Sequence, residues 1–251
     1  AAETPDAVAL RFEGDQWTYA ELWRRSARLA RRIRLPHRLA LGIANPRFTF
    51  AVPGSVHIYG GFAGGGESDY YGMVIATEEL SRASLGAAGS LITRPEILAR
   101  ALETGGTEEQ KQHWLPQLAS AEVMNAVAVT EPDYGSDVAG VRTRAVRDGE
   151  EWVINGAKLW ITNGTQADWI CLLVRTSDEG GYRGMSQVIV PTDADGFSVS
   201  RRLDKLGMRA SDTAELTFDD VRVPVSNTIG EIGRGFQQQM AQFQNERMLG
   251  L

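Results

Sequence analysis

Two threonine hydroxyls and one indole stand where apolar runs of this chain stop. The run from Val123 to Val129 ends abruptly at Thr130-Glu131-Pro132, and Tyr134, Gly135, Ser136 and Asp137 follow. Strand propensity halted by a proline, with turn formers behind it, delivers polar groups to a fixed edge. Leu159-Trp160-Ile161-Thr162-Asn163-Gly164 repeats the device further along, an apolar run closing on a hydroxyl and a turn. Together the two stretches offer a flat aromatic face and two hydroxyls, which suits an aromatic ligand with polar edges. Taken singly, each residue has a plainer reading: Trp160 as core, Ser136 as turn chemistry. Glu131 and Asp137 sit where backbone N–H groups need acceptors, so both read as loop braces.

The elements that must position these groups fall into two regimes. Ser68 caps a helix running to about residue 84, with Tyr70, Met73, Val74, Thr77 and Leu80 as its apolar stripe. Thr93-Arg94-Pro95-Glu96 opens a second helix that stops at Gly105-Gly106. Thr107-Glu108-Glu109-Gln110 is a capping box for a third, through Trp114 and Leu118. From Val123 the period changes, predicting strands at 123–130, 141–147, 151–155, 157–162, 168–175, 185–190, 196–200 and 214–223. Asn155-Gly156 predicts a tight hairpin between two of them. Strands so spaced suggest an antiparallel barrel or sandwich. After Gly235 a helix returns, with Phe236, Met240, Phe243 and Arg247 at helical spacing.

Composition bounds the function. The chain has 251 residues, 43% hydrophobic and 23% charged, enough to bury a core. A net charge of −6 argues against a nucleic-acid protein. The single cysteine, Cys171, excludes an internal disulfide and suits a reducing compartment. It lies in an apolar strand with no histidine nearby in sequence, so it reads as a buried small hydrophobe. His37, His57 and His113 are isolated, without metal-ligand spacing. With no span-length apolar run and no signal-peptide core, the expected location is cytoplasmic, without a membrane partner. Tyr59-Gly60-Gly61 and the glycines after it lack the Lys-Ser/Thr of a phosphate loop and read as a flexible turn.

Residues 1–34 differ from the rest. Val8 to Phe12 alternates as a short strand, and Thr18-Tyr19-Ala20-Glu21 opens a helix whose other faces carry six arginines, read as a solvated basic surface. The wording T-P-D-A-V-A-L-R-F-E-G-D-Q-W-T-Y-A-E-L-W resembles the opening of adenylate-forming ligases, but none of that family's phosphate-binding or catalytic motifs follows. Pro36, Pro46 and Pro53 break the next stretch, which reads as a linker.

Four ordered blocks carry a broader resemblance: T-E-P-D-Y-G-S-D-V-A-G from Thr130, I-N-G-A-K-L-W-I-T-N-G from Ile154, L-G-M-R-A-S-D-T from Leu206 and F-D-D-V-R-V-P from Phe218. Together they resemble the acyl-CoA dehydrogenase family over residues 58–251. The resemblance implies an α+β fold: a helical N-terminal layer followed by a small antiparallel β-barrel, ending in the start of a truncated helical domain. The implied divisions are a leader and linker at 1–52, a helical domain at 53–122, a flavin-binding barrel at 123–226, and the first helix of a C-terminal domain at 227–251, the rest of which is missing.

It also implies FAD as cofactor and dehydrogenation of an acyl thioester, on CoA or a carrier protein. Electrons would pass to an acceptor such as electron-transfer flavoprotein, and the full-length form would be a homo-oligomer. By position, Thr130 and Thr162 would bond the isoalloxazine edge and Trp160 would cover one face. Val127 and Val129 would offer backbone groups to the ring or its tail, and Ile161 would belong to the same cofactor site. Ser136, Gln244 and Arg247 match substrate positions, although Tyr134 stands where the family usually has a small residue. Glu246 matches the catalytic base of members resembling isovaleryl-CoA and long-chain dehydrogenases; others carry the base in the C-terminal region. Alternatives of other classes are a non-catalytic truncated or fused remnant, and an acyl-activating ligase fragment.

Overall fold

A computed structural model of the chain describes residues 8–12, 15–18, 98–120, 123–209 and 211–249. Two short strands, β1 (Val8–Phe12) and β2 (Asp15–Thr18), pair antiparallel. The strand expected at 8–12 is therefore present. The helices expected from Thr18 and from Ser68, and the glycine-rich turn at Tyr59, lie outside the described residues.

Two helices follow, α1 (Arg100–Gly105) and α2 (Glu108–Ser120). The capping box between them forms in both directions: the Gln110 N–H donates to Thr107 Oγ1 at 3.1 Å, and the Thr107 N–H donates to Gln110 Oε1 at 3.0 Å. The same Gln110 side chain donates to the carbonyls of Ser226 and Thr228, at 2.9 and 3.1 Å, which ties α2 to the sheet.

The sheet holds eight strands: β3 (Asn125–Ala128), β4 (Arg144–Asp148), β5 (Glu151–Thr162), β6 (Trp169–Arg175), β7 (Met185–Pro191), β8 (Phe197–Arg202), β9 (Thr213–Pro224) and β10 (Thr228–Ile229). Their order is β10-β7-β6-β4-β5-β9-β8, with β3 pairing beside β6. Two expectations are corrected here. The described strands form an open sheet rather than a closed barrel, because one end strand, β10, has two residues and the other, β8, is exposed along nearly its whole length. Nor is the sheet wholly antiparallel: β3 and β4 each meet β6 in parallel.

The Asn155-Gly156 hairpin is a third correction. β5 runs unbroken through both residues, and the chain reverses earlier, between Asp148 and Glu151. At Asn155-Gly156 the pairing with β9 shifts register as a bulge. The Asn155 carboxamide reaches across it, donating to Asp220 Oδ1 at 2.8 Å and accepting from the Asp220 N–H at 2.9 Å. Gly156 has φ +146°, and a Cβ there would meet Thr143 Oγ1 at 2.6 Å, so the bulge needs glycine for both backbone and space.

β6 shows how the layers are assembled. Its side chains from Trp169 to Val174 are all buried, and they alternate between the two faces as a strand's period of two requires, with Leu173 joining Val129, Val141 and Met185. Ile170, Leu172 and Val174 join Val188 and Val190 of β7 in the core among the strands. Trp169 and Cys171 face Leu102 of α1 and Leu115 of α2. Burial pushes the Cys171 thiol up to about 12, so it stays protonated and acts as a small apolar group.

The last helix, α3 (Gly235–Leu249), docks on β7. Among its described residues the buried ones are Gly235, Gln239 and Gln242, while Phe236 and Phe243 are half-buried. Gly235 lets the backbones approach closely: a Cβ there would lie 2.6 Å from the Ser186 carbonyl carbon. Gln187, Gln239 and Gln242 close a buried carboxamide cluster with bonds of 2.8 to 3.2 Å. No helix among the described residues is long and apolar enough to cross a membrane.

Candidate active site

One open cavity of about 240 Å³ gathers the strand ends that the sequence singles out. All six residues expected at a flavin line it: Val127, Val129, Thr130, Trp160, Ile161 and Thr162. Asn125, Asn163 and Phe243 of α3 complete the wall. Organic-ligand pockets run to roughly 300–1,000 Å³, so this one has room for part of a large cofactor rather than the whole.

The two stretches are joined by a buried ion pair. Lys158 is fully buried, and its ammonium donates to the Val129 carbonyl at 2.8 Å and to Glu131 Oε1 at 3.0 Å. Glu131 also accepts the N–H groups of Arg142 and Thr143, at 2.7 and 2.8 Å. The Leu159 N–H closes the link by donating to the Thr130 carbonyl at 2.9 Å. Glu131 is thus the loop brace the sequence predicts, with its charge spent on structure. Burial lowers the Lys158 ammonium to about 8, against the pull of Glu131. Burial alone would raise the Glu131 carboxyl, but Lys158 and the bonds from Thr143 and Arg142 outweigh it and hold it below the ordinary carboxylate value.

Trp160 stands differently from its neighbours. Its indole is 59% exposed, and its backbone has φ +64°, the left-handed region that a bulky residue rarely occupies. The pairing of β5 with β9 shifts register between Lys158 and Ile161, and this bulge turns the ring out to the cavity rim. The plain reading of Trp160 as a core residue is therefore excluded. Holding a tryptophan in that conformation costs on the order of 1–3 kcal/mol, a strain that gathers at functional sites.

Further along the chain, Asp212 secures the loop after Thr162. Its carboxylate accepts from the Thr165 N–H at 2.9 Å, Thr165 Oγ1 at 2.6 Å and Gln166 Nε2 at 2.5 Å. The Asn163 side chain reaches β3, donating to the Asn125 carbonyl at 3.3 Å. The Asn125 side chain itself is 1% exposed, and among the described residues neither its oxygen nor its nitrogen has a partner. Both atoms are themselves buried, so the amide is enclosed in the cavity wall rather than turned to its open space.

Other expected residues sit elsewhere. Ser136 is exposed and does not line the cavity. Tyr134, half-buried, packs with Val129, Val141 and Phe243 and carries the Arg142 guanidinium 5.2 Å above its ring. Gln244, Glu246 and Arg247 belong to α3, and their side chains lie outside the described ones. Sequence reading missed Lys158, Asn125 and Asn163. The usable signal for Lys158 was its even spacing from the inward Trp152 and Ile154 of the same strand. Among the described residues, no group of three or more His, Cys, Asp or Glu is placed to hold a metal ion.

The chain matches two family models, the acyl-CoA dehydrogenase N-terminal domain over residues 57–122 and the acyl-CoA dehydrogenase middle domain over 126–221. It is 44% identical over 186 residues to (2S)-methylsuccinyl-CoA dehydrogenase of Cereibacter sphaeroides, covering 70% of this chain and 34% of that protein. Among solved structures it resembles an acyl-CoA dehydrogenase from Geobacillus kaustophilus, 40% identical with a TM-score of 0.70, over 76% of this chain and 50% of that one. It also resembles a glutaryl-CoA dehydrogenase from Mycobacterium smegmatis in complex with FADH2, 30% identical with a TM-score of 0.75, over 91% of this chain and 60% of that one. The chain spans between 34% and 47% of the length of the curated relatives it matches. With both domain models matched in order and the cavity built from the strand ends of the second, the chain belongs to the acyl-CoA dehydrogenase family.

Proposed function

We propose that this chain carries the flavin-ring site of an FAD-dependent acyl-CoA dehydrogenase, which introduces an α,β double bond into an acyl thioester. The observation that carries the reading is the single cavity uniting Val127, Val129, Thr130, Trp160, Ile161 and Thr162 from two separate strand ends. The residues present fit a flavin: hydroxyls at two edges, an exposed indole and apolar walls. Bound there, the flavin would accept the β-hydrogen with its electron pair, passing electrons on to an acceptor such as electron-transfer flavoprotein.

The chain's own groups divide the remaining work. Thr130 and Thr162 would bond the ring's polar edge, and Trp160 would cover one face and shield it from water. The buried Glu131–Lys158 pair keeps the two strand ends in register, so that these contacts are in place before a ligand arrives. Glu246 is the proposed base for the α-proton. It lies on α3 three residues beyond Phe243, which lines the cavity. A carboxylate serves there if water exclusion raises its pKa towards neutrality. Arg247 and Gln244 would sit beside the acyl thioester, whose carrier is CoA or a protein. The homo-oligomer and the C-terminal helical domain expected of the full-length form belong to this proposal too.

The test is spectroscopic. The purified chain with FAD should show flavin absorbance that bleaches when an acyl-CoA is added. Glu246→Gln should keep the absorbance and lose the bleaching. A protein that takes up no flavin would overturn the reading at the ring, and full bleaching by the Glu246→Gln variant would overturn it at the base.

A further inference from the structure

Arg175, at the end of β6, spends its guanidinium on more than strand pairing requires. It donates to four backbone carbonyls on two loops: Ala139 at 2.8 Å and Val141 at 3.3 Å on one, Gly181 and Arg183, both at 3.2 Å, on the other. The first loop runs on from Thr130 and Ser136. The second joins β6 to β7, and the Thr176 N–H closes its base by donating to the Gly184 carbonyl at 2.7 Å. Gly180 and Gly181 have φ +75° and +56°, and a Cβ at either would meet nothing, so the tip stands in open space. Further contacts tie that tip to its surroundings. Asp178 accepts both arms of the Arg144 guanidinium, at 2.7 and 3.1 Å. The exposed Tyr182 ring lies on Phe236, with centroids 4.3 Å apart. Phe236 stands in the first turn of α3, the helix that carries Glu246.

We propose that Arg175 and Tyr182 are positioning residues that clamp α3 and so set where Glu246 stands relative to the ring cavity. Arg175 fixes the loop, and Tyr182 at its tip pins the start of the helix. Ten residues separate Phe236 from Glu246, about 15 Å of helix, so a small tilt at the first turn is magnified at the base. A misplacement of about 1 Å between reacting groups costs on the order of 100-fold in rate. Arginine suits the task, because its planar fork of N–H donors spans carbonyls that the point charge of a lysine does not. Neither residue lines the ring cavity. The assignment rests on the flavin reading above but concerns the helix opposite the ring, not the ring's own contacts.

The test has two arms. Amide hydrogen exchange of the full chain in apo form needs no flavin. Tyr182→Ala and Arg175→Lys should speed exchange across residues 235–249 roughly 10-fold, and Tyr182→Phe, which keeps the ring, should not. The second arm follows bleaching of the FAD-loaded chain by an acyl-CoA. Both disruptive variants should take up flavin like wild type, but their bleaching rate at saturating acyl-CoA should fall roughly 10-fold. The double variant should fall no further, since both changes act through one loop. Tyr182→Phe should bleach at the wild-type rate, and it guards against a folding failure of the other two. Unchanged exchange in α3, or a lower melting temperature with the bleaching rate intact, would overturn the clamp and leave a plain loop brace. A change confined to the acyl-CoA concentration at half-saturation would overturn it too, in favour of direct contact with the substrate. A wild-type chain that takes up no flavin would overturn the ring reading, and the exchange arm would still decide whether the loop holds α3.

Discussion

Buried carboxamides at the cavity and at the helix that closes it have met opposite fates. Gln187, Gln239 and Gln242 bond to one another where α3 docks on β7, whereas the equally buried Asn125 side chain has no partner among the described residues. The same contrast separates two residues of the strand end that faces the cavity. Lys158 is enclosed and saturated by Glu131 and the Val129 carbonyl, while Trp160, two residues on, is strained and exposed. The difference teaches where this fold is finished and where it is held open. Saturated polar groups fix the frame; open or strained ones line the space that a ligand would fill.

Breaking the frame should give the largest effect. Lys158→Met strands the Glu131 charge in the interior and should cost about 3–5 kcal/mol, read from the urea midpoint. Adding Glu131→Gln should recover much of that loss, because the neutral carboxamide leaves no unpaired charge and still offers an acceptor to the Arg142 and Thr143 N–H groups. The pair also sets an acid limit. The Glu131 carboxyl is held below its ordinary value, so its stabilisation is complete above the unfolded carboxylate pKa of about 4.3 and fades as pH falls through the lower folded value. Unfolding monitored from pH 6 to pH 3 should show this slope in the wild type and not in the double variant.

Smaller effects sharpen the contrast. Gln187→Leu leaves two glutamines of the helix interface short of partners and should cost about 1–3 kcal/mol. Urea unfolding would reverse the argument if that variant proved more stable than wild type. At the open side the sign turns. Trp160→Asn suits the left-handed backbone and should leave the apo protein unchanged or up to about 1 kcal/mol more stable, while flavin binding weakens. Thermal melts with and without FAD read both at once.

What the sequence made legible follows the same division. Thr130, Trp160 and Thr162 could be found because a hydroxyl or indole at the end of an apolar run is a local signal, and the strands between 123 and 224 were local too. The capping box at Thr107 and Gln110 spans only three residues, and it formed as read. Lys158 was hidden because its partner lies 27 positions away, so only the fold reveals that a lysine is inside. Asn155-Gly156 misled for a related reason: its amide answers Asp220 across a bulge, a contact 65 positions distant, rather than a turn. Whether strands close into a barrel depends on their outermost edges, which no periodicity records. The docking face of α3 was not legible because glutamines seldom form a buried stripe.

The turned-out indole has a practical consequence. Trp152 and Trp169 are sealed in the interior, at 3% and 1% exposure, so a small quencher dissolved in the solvent should reach them little. Trp160 stands in water at the threshold, and anything flat that settles against it changes its surroundings first. The bulge that puts it there has given the protein an optical gauge of its own occupancy, readable without a label.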